Sequence, residues 1–337
     1  MVVWGGGEGL ANQLNLLSRH TSKAVAHMKT IEVMFEAYAA QLKQLAELKV
    51  IHSQYADGHH MICPICQDPL TKVLSPSANP KSLTLEDAPP KALGGTAIAI
   101  TCKQCNNSYG GRYEKKLVNR MKHAYFQQLP HSVPVPGVID TPNGELNVKY
   151  TRTGVDQAQM ELSVRNNNPR RVSTFNSSAD RLSRHFTLSV RRHDVGHDQD
   201  ILASLCKAAY IMIFARMGYV AIMSPALSRL RLQVSNPEQQ VFPSAAITSS
   251  LQLAHLSPDV YFASSDADFS YIAVRFDLRY ESLTKNYCLF VPLISKAVEP
   301  YLALGSKEGL NFVMETTSRT DFFNNPAQMD RFARVLN

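Results

Sequence analysis

The chain has 337 residues, 45% of them hydrophobic and 19% charged, with a formal net charge of +7. That is enough apolar material for one small module and one sizeable second core, and it excludes a wholly disordered or fibrous chain. No run approaches the ~20 apolar residues of a membrane-crossing helix, and six cysteines are too few for a disulfide scaffold of this length, so a soluble cytoplasmic protein with no membrane partner is expected.

From Ser22 to about His52, Met28, Ile31, Phe35, Tyr38, Leu42, Leu45 and Leu48 recur at intervals of three or four residues, which predicts a long helix. Its apolar stripe needs cover. Either the rest of the chain supplies it, or the helix pairs with a second copy or a protein partner.

Tyr55 to His60 ends that helix, and two cysteine pairs follow. Cys63-x2-Cys66 and Cys102-x2-Cys105 are separated by thirty-five residues. Two residues between paired cysteines let both sulfurs reach one ion from a tight turn, and two such knuckles make a closed tetrahedral structural site, so Zn2+ is the expected occupant. An iron–sulfur cluster or a redox pair is the alternative, although neither pair opens a helix in a βαβ context. Cys206 and Cys288 sit in apolar surroundings and read as buried thiols.

Pro76, Pro80, Pro89 and Pro90 make the stretch between the knuckles loop-rich. Within it, Leu83-Thr84-Leu85-Glu86-Asp87-Ala88-Pro89-Pro90-Lys91-Ala92-Leu93-Gly94-Gly95 is followed by Ile100-Thr101-Cys102-Lys103-Gln104-Cys105-Asn106-Asn107-Ser108-Tyr109-Gly110. Over about residues 63–115 this pattern resembles the core of the zinc-knuckle HNH (ββα-metal) endonucleases. The resemblance implies a hairpin and a helix clasping a catalytic Mg2+ or Mn2+ apart from the zinc, with Glu86 as first metal ligand and Asn106 as helix ligand. Asp87 stands where that family has its general-base histidine, and the asparagine usual before the second knuckle is missing from Gly95–Ala99.

Hydrolysing a phosphodiester with one hard cation needs oxygen ligands and a base for water. Histidine, with an unperturbed pKa of ~6.5, suits the second task better than aspartate at ~3.9. Three readings follow: Asp87 serves as base or as a second metal carboxylate, His59 or His60 folds back as base, or the module binds without cutting. Each residue also has a plainer role available. Glu86 faces water, Asp87 caps a turn, Asn106 caps a helix, and Gly94-Gly95 forms a turn needing positive φ.

A second helix is predicted from about Ser108 to Gln128 on Tyr109, Tyr113, Leu117, Met121 and Phe126, with Gly110 and Gly111 weakening its first turn. Leu129 to Asn143 holds four prolines and reads as a linker. Strand patterns follow at Glu145–Arg152, Gln159–Val164 and Phe186–Arg192, then an apolar helix from Gln199 to about Met223, then strands around Val260–Ala263, Tyr271–Tyr280 and Tyr287–Leu293. The fold class is therefore α+β: a zinc-bound ββα-metal HNH-like module preceded by a long helix and followed by a larger α+β domain. The expected boundaries are a helical region at 1–56, the zinc-knuckle domain at 57–128, a linker at 129–145, and an accessory, sensing or partner-binding domain at 146–337.

Charge is clustered. Lys103, Arg112, Lys115, Lys116, Arg120 and Lys122 stand against Glu114 alone, and Arg165, Arg170, Arg171, Arg181, Arg184, Arg191 and Arg192 against Asp180. The first cluster would lie beside the proposed catalytic residues and bind phosphates without reading bases, which makes DNA the expected partner; the plainer reading is a solvated basic face. Function is then a metal-dependent HNH-like endonuclease acting on DNA, for which the resemblance suggests a place in bacterial defence against phage or plasmids. The alternatives are a non-catalytic zinc module that binds nucleic acid or a partner within a larger complex, and an interaction protein assembled through the N-terminal helix.

Overall fold

The computed structural model describes residues 8–72, 79–128, 134–141, 144–154, 157–162, 164–178, 188–189, 196–249, 255–265, 270–293 and 312–336. The chain is α+β, with a long N-terminal helix followed by mixed elements built around a buried four-cysteine cluster.

Helix α1 (Glu8–Glu47) opens the chain. Its stripe from Ile31 through Phe35, Tyr38 and Leu42 to Leu45 is buried by the chain itself, against strands of the cysteine-bearing segment and two later helices. Tyr38 stacks on Phe214 with ring centroids 4.3 Å apart. Met28 remains exposed.

The cysteine-bearing segment holds two antiparallel hairpins: β1 (His60–Ile62) with β2 (Pro69–Thr71), and β3 (Leu83–Ala88) with β4 (Thr96–Cys102). The second hairpin runs straight into α2 (Lys103–Tyr109), a π turn (Gly110–Glu114) and α3 (Lys115–Gln128). The helix thus begins earlier than its apolar spacing predicts. Cys102 caps it, accepting a hydrogen bond from the Cys105 amide, and Gly110 and Gly111 fall in the π turn.

The stretch expected to be a linker contains β5 (Val135–Thr141), which pairs with β6 (Gly144–Arg152). β6 pairs in turn with β7 (Ala158–Leu162), and β5 with β8 (Leu188–Ser189), giving a four-stranded antiparallel sheet. The prolines mislead because Val138, Ile139, Leu146 and Val148 are buried between them and beyond. Helix α4 (Pro169–Ser178) carries the exposed Arg170 and Arg171; Arg181, Arg184, Arg191 and Arg192 lie outside the described residues.

Helix α5 (Asp198–Met217) is buried on nearly every side, as its continuous apolar character requires. It touches β3, β4, the π turn and α3, and also β10 (Asp259–Ser265) and β11 (Ser270–Tyr280) of a second sheet. That sheet adds β12 (Leu283–Pro292), β13 (Phe312–Thr316) and the short β9 (Ile247–Thr248), in the order β13-β10-β11-β12-β9, antiparallel throughout. Gly218 ends α5 at φ +62°, and the short α6 (Tyr219–Ile222) and α7 (Ser228–Ser235) follow. Helix α8 (Pro326–Leu336) closes the chain.

One apolar cluster therefore runs from α1 through the cysteine-bearing hairpins and α5 to the face of the five-stranded sheet. The buried Gln41 pins its centre: its amide donates to Met217 O at 2.9 Å and Phe322 O at 2.6 Å, and its carbonyl accepts from Tyr219 N at 2.6 Å. Among the described residues no helix is long and apolar enough to cross a membrane.

Candidate metal centre and its surroundings

The four cysteines converge as their spacing requires. The Sγ atoms of Cys63, Cys66, Cys102 and Cys105 all lie within 4.8 Å of one another, and those of Cys66 and Cys102 are 3.8 Å apart. Four sulfurs at ~2.3 Å from a central ion form a tetrahedron with edges of about 3.8 Å, so the donor set suits a structural metal and its dimensions suit zinc.

Both knuckles are held by backbone. In the first, Gln67 N donates to Cys63 O and Cys63 N to Asp68 O, each at 2.9 Å, with Gln67 at φ +62°. In the second, the Cys105 amide points at Cys102 Sγ, 3.4 Å away. Amides directed at sulfur stabilise the thiolate that a metal requires. Cys63, Cys102 and Cys105 are buried and Cys66 is exposed.

Two tyrosines fasten the first knuckle to the rest of the chain. Tyr210 of α5 donates its hydroxyl to Pro64 O at 2.8 Å, and Tyr219 of α6 bonds both polar atoms of the Ile62 backbone. The four-cysteine cluster thus lies in a ββα-type module that is also seated on the larger core.

The residues proposed as catalytic fare differently. Glu86 is 2% exposed. Its Oε1 accepts from Lys207 Nζ at 2.6 Å, and its Oε2 accepts from the Thr101 hydroxyl at 3.0 Å. Lys207 also donates to Glu114 Oε1 at 2.8 Å, forming a buried carboxylate–ammonium–carboxylate cluster between β3, α5 and the π turn. Burial pushes the Glu86 carboxyl upward, opposed by the Lys207 charge. Desolvation works against the Lys207 ammonium, but the carboxylates of Glu86 and Glu114 outweigh it and hold the lysine above its ordinary range. Lys207 is therefore charged at neutral pH, and deleting one partner of such a buried pair typically costs about 3–5 kcal/mol.

Asp87 is half-buried, just past a bulge where Glu86 opposes Ala99 and Asp87 opposes Ala97. Desolvation lifts its carboxyl above the ordinary aspartate range, against the pull of Lys91 and Lys207. Asn106 turns its amide onto the hairpin, donating to Leu85 O at 2.8 Å and Thr84 Oγ1 at 3.2 Å, so it ties helix to strand. His60 pairs with Asp57 at 2.9 Å. Among the described residues, the cysteines are the one group of three or more His, Cys, Asp or Glu side chains gathered closely enough for a metal.

Of the six basic residues from Lys103 to Lys122, Arg112, Lys116 and Arg120 face acids among the described residues. Arg112 pairs with Glu238, Lys116 with Asp200 at 3.1 Å, and Arg120 with Asp198 at 2.7 Å. Lys115 is exposed, Lys103 is half-buried, and Lys122 lies over the Tyr280 ring, 5.9 Å from its centroid. The cluster is a mixed-charge face with lysines among its ion pairs.

No protein-family model matches the chain, and neither the curated proteins nor the solved structures gave a match. The functional reading rests on the site.

Lys207, Glu114 and Thr101 have roles that the spacing of residues does not announce. A signal for Lys207 exists: it is the sole charge within the apolar stretch Ile201–Ala215, and a lysine enclosed there needs an anion. Glu114, the lone acid among the six basic residues, is one of the two that answer it.

Proposed function

We propose that this chain is a zinc-folded, HNH-like protein that binds nucleic acid through its backbone and does not hydrolyse it. The observation that carries this reading is the state of Glu86. Both of its oxygens are occupied by Lys207 and Thr101 in a buried cluster, so the residue that would be first ligand to a catalytic Mg2+ or Mn2+ is engaged within the chain. Asp87 in the histidine position supports the same view, since an ordinary aspartate is a weak base near neutral pH.

Binding is supported by the net charge of +7 and by the lysines and arginines of the helix after the second knuckle. The Arg112–Glu238 pair is exposed on both sides, and exposed pairs contribute at most about 1 kcal/mol, so Arg112 exchanges a carboxylate for a phosphate at little cost. Arg120 is half-buried and also donates to Gly196 O at 2.9 Å, which holds it in place. Lys115 and Lys122 add charge on the same helix.

One observation favours the second reading, a metal-dependent endonuclease acting on DNA. Desolvation raises the Asp87 carboxyl, which is the direction a general base requires. Mobility-shift and nicking assays on plasmid and linear duplex DNA, with the zinc-loaded chain in Mg2+ or Mn2+, separate the readings. Salt-sensitive retardation of uncut DNA, weakened by Lys115→Glu with Lys122→Glu, is the expected result. Cleavage abolished by Glu86→Ala in a chain that keeps its zinc and its circular dichroism would establish the endonuclease instead, and absence of binding at low salt would remove both.

A further inference from the structure

The Glu86–Lys207–Glu114 cluster holds a cation by construction. Its two carboxylates come from different elements, a strand and a π turn, and converge on a single point that Lys207 Nζ occupies at 2.6 and 2.8 Å. Thr101 orients the far oxygen of Glu86 from the paired strand. Lys207 and Glu86 are almost fully buried and Glu114 nearly so, so water does little to screen the carboxylates from one another.

With both carboxylates ionised, one ammonium leaves one negative charge in excess in a poorly solvated place, a state that burial of Glu86 opposes, whereas one divalent ion would neutralise the pair. Oxygen donors converging from rigid elements are also what hard divalent cations take. An ammonium on a flexible four-carbon stem is a point charge that needs no particular coordination geometry.

We propose that Glu86 and Glu114 form a divalent-cation site that the chain fills with its own Lys207 ammonium, so that this part of the fold is closed by a built-in cation rather than by a metal. The ammonium joins α5 to both β3 and the π turn, as a bound ion would, but it cannot be removed by chelation. Without the lysine head group the carboxylates repel each other and recruit Mn2+ or Mg2+. This inference rests on the geometry of the cluster and not on nucleic-acid binding, so either can fail while the other holds.

The test is Mn2+ binding to the zinc-loaded full chain, followed by loss of the free-ion electron paramagnetic resonance signal. Lys207→Met keeps most of the buried stem and removes the charge. The wild-type chain is expected to bind no Mn2+ that depends on Glu86, Lys207→Met to bind one ion per chain with its zinc retained, and Lys207→Met with Glu86→Gln to bind none. If Lys207→Met is unfolded in chelator, millimolar Mn2+ is expected to restore its circular dichroism and raise its melting temperature. A folded Lys207→Met chain that binds no Mn2+, an unfolded one that Mn2+ does not rescue, or wild-type Mn2+ binding lost on Glu86→Gln would each overturn the proposal.

Discussion

The hydroxyl of Tyr219 accepts a hydrogen bond from Ile62 N at 2.7 Å and donates one to Ile62 O at 2.5 Å, closing both backbone groups of the residue that precedes Cys63. All of these atoms belong to buried residues. Tyr219→Phe would leave two backbone groups unpaired in the core, and each costs about 1–3 kcal/mol when nothing replaces the bond. Urea unfolding of the metal-loaded chain should show a loss in that range or above, with Tyr210→Phe, which frees one backbone group, Pro64 O, and gives up a contact with the half-buried Arg231, losing less. Equal stability of Tyr219→Phe and the parent would show that the knuckle is not seated this way.

Gly218 is required twice. Its φ of +62° and ψ of −143° belong to a region that residues with a side chain rarely enter, at a cost of about 1–3 kcal/mol. A Cβ there would also fall 2.0 Å from Gln41 Oε1 and break the hub joining α1, α5 and α6. Gly218→Ala should lower the melting temperature by more than a helix-terminal substitution elsewhere, for example at Asn236. A drop of equal size would contradict this.

Asp87 should make a pH-dependent contribution of definite sign. Its folded-state pKa is raised by desolvation, so the stability associated with its neutral form is fully present below the unfolded value of ~3.9 and is lost as pH rises through the higher folded value. At neutral pH, Asp87→Asn should therefore be more stable than the parent in chemical denaturation, with the advantage vanishing in acid. Carboxyl carbon shifts followed by NMR should place the Asp87 titration above that of exposed aspartates. An advantage that grew in acid would reverse the assignment.

Cys66 is the exposed member of the metal set. Treatment of the zinc-loaded chain with iodoacetamide, followed by mass spectrometry and a chromogenic chelator, should label Cys66 first and release zinc in step with that label. Cys206 is fully buried, with its thiol pushed well upward by desolvation, and should label only after unfolding. Labelling of Cys206 before Cys66 would contradict the packing of α5.

The parts of the molecule that local pattern controls could be read from the sequence. The stripe on α1, the paired knuckles, α5 and the strands β6, β10, β11 and β12 all follow from periodicity or spacing, which act over a few residues. The rest depends on distant partners. Val135–Thr141 looks like a linker because prolines punctuate it, yet pairing with Gly144–Arg152 makes it a strand. The HNH resemblance marks Glu86 as a metal ligand, but its environment is set by Lys207, 121 residues away, and no local pattern carries that separation. Gly94-Gly95 was legible as a turn: Gly94 has φ +87°, and a Cβ on Gly95 would lie 1.5 Å from Pro89 O.

On the proposed reading, a metal held by the four cysteines folds the hairpins and helix around them. Metal analysis combined with hydrogen-exchange mass spectrometry, before and after exhaustive chelation, decides whether it does. The expected result is one zinc per chain and, on its removal, loss of protection across the hairpins and helix from His60 to Gln128, with α5 losing protection where it meets them. Protein that contains no metal as purified, and whose exchange across those residues is unchanged by chelation, would contradict it.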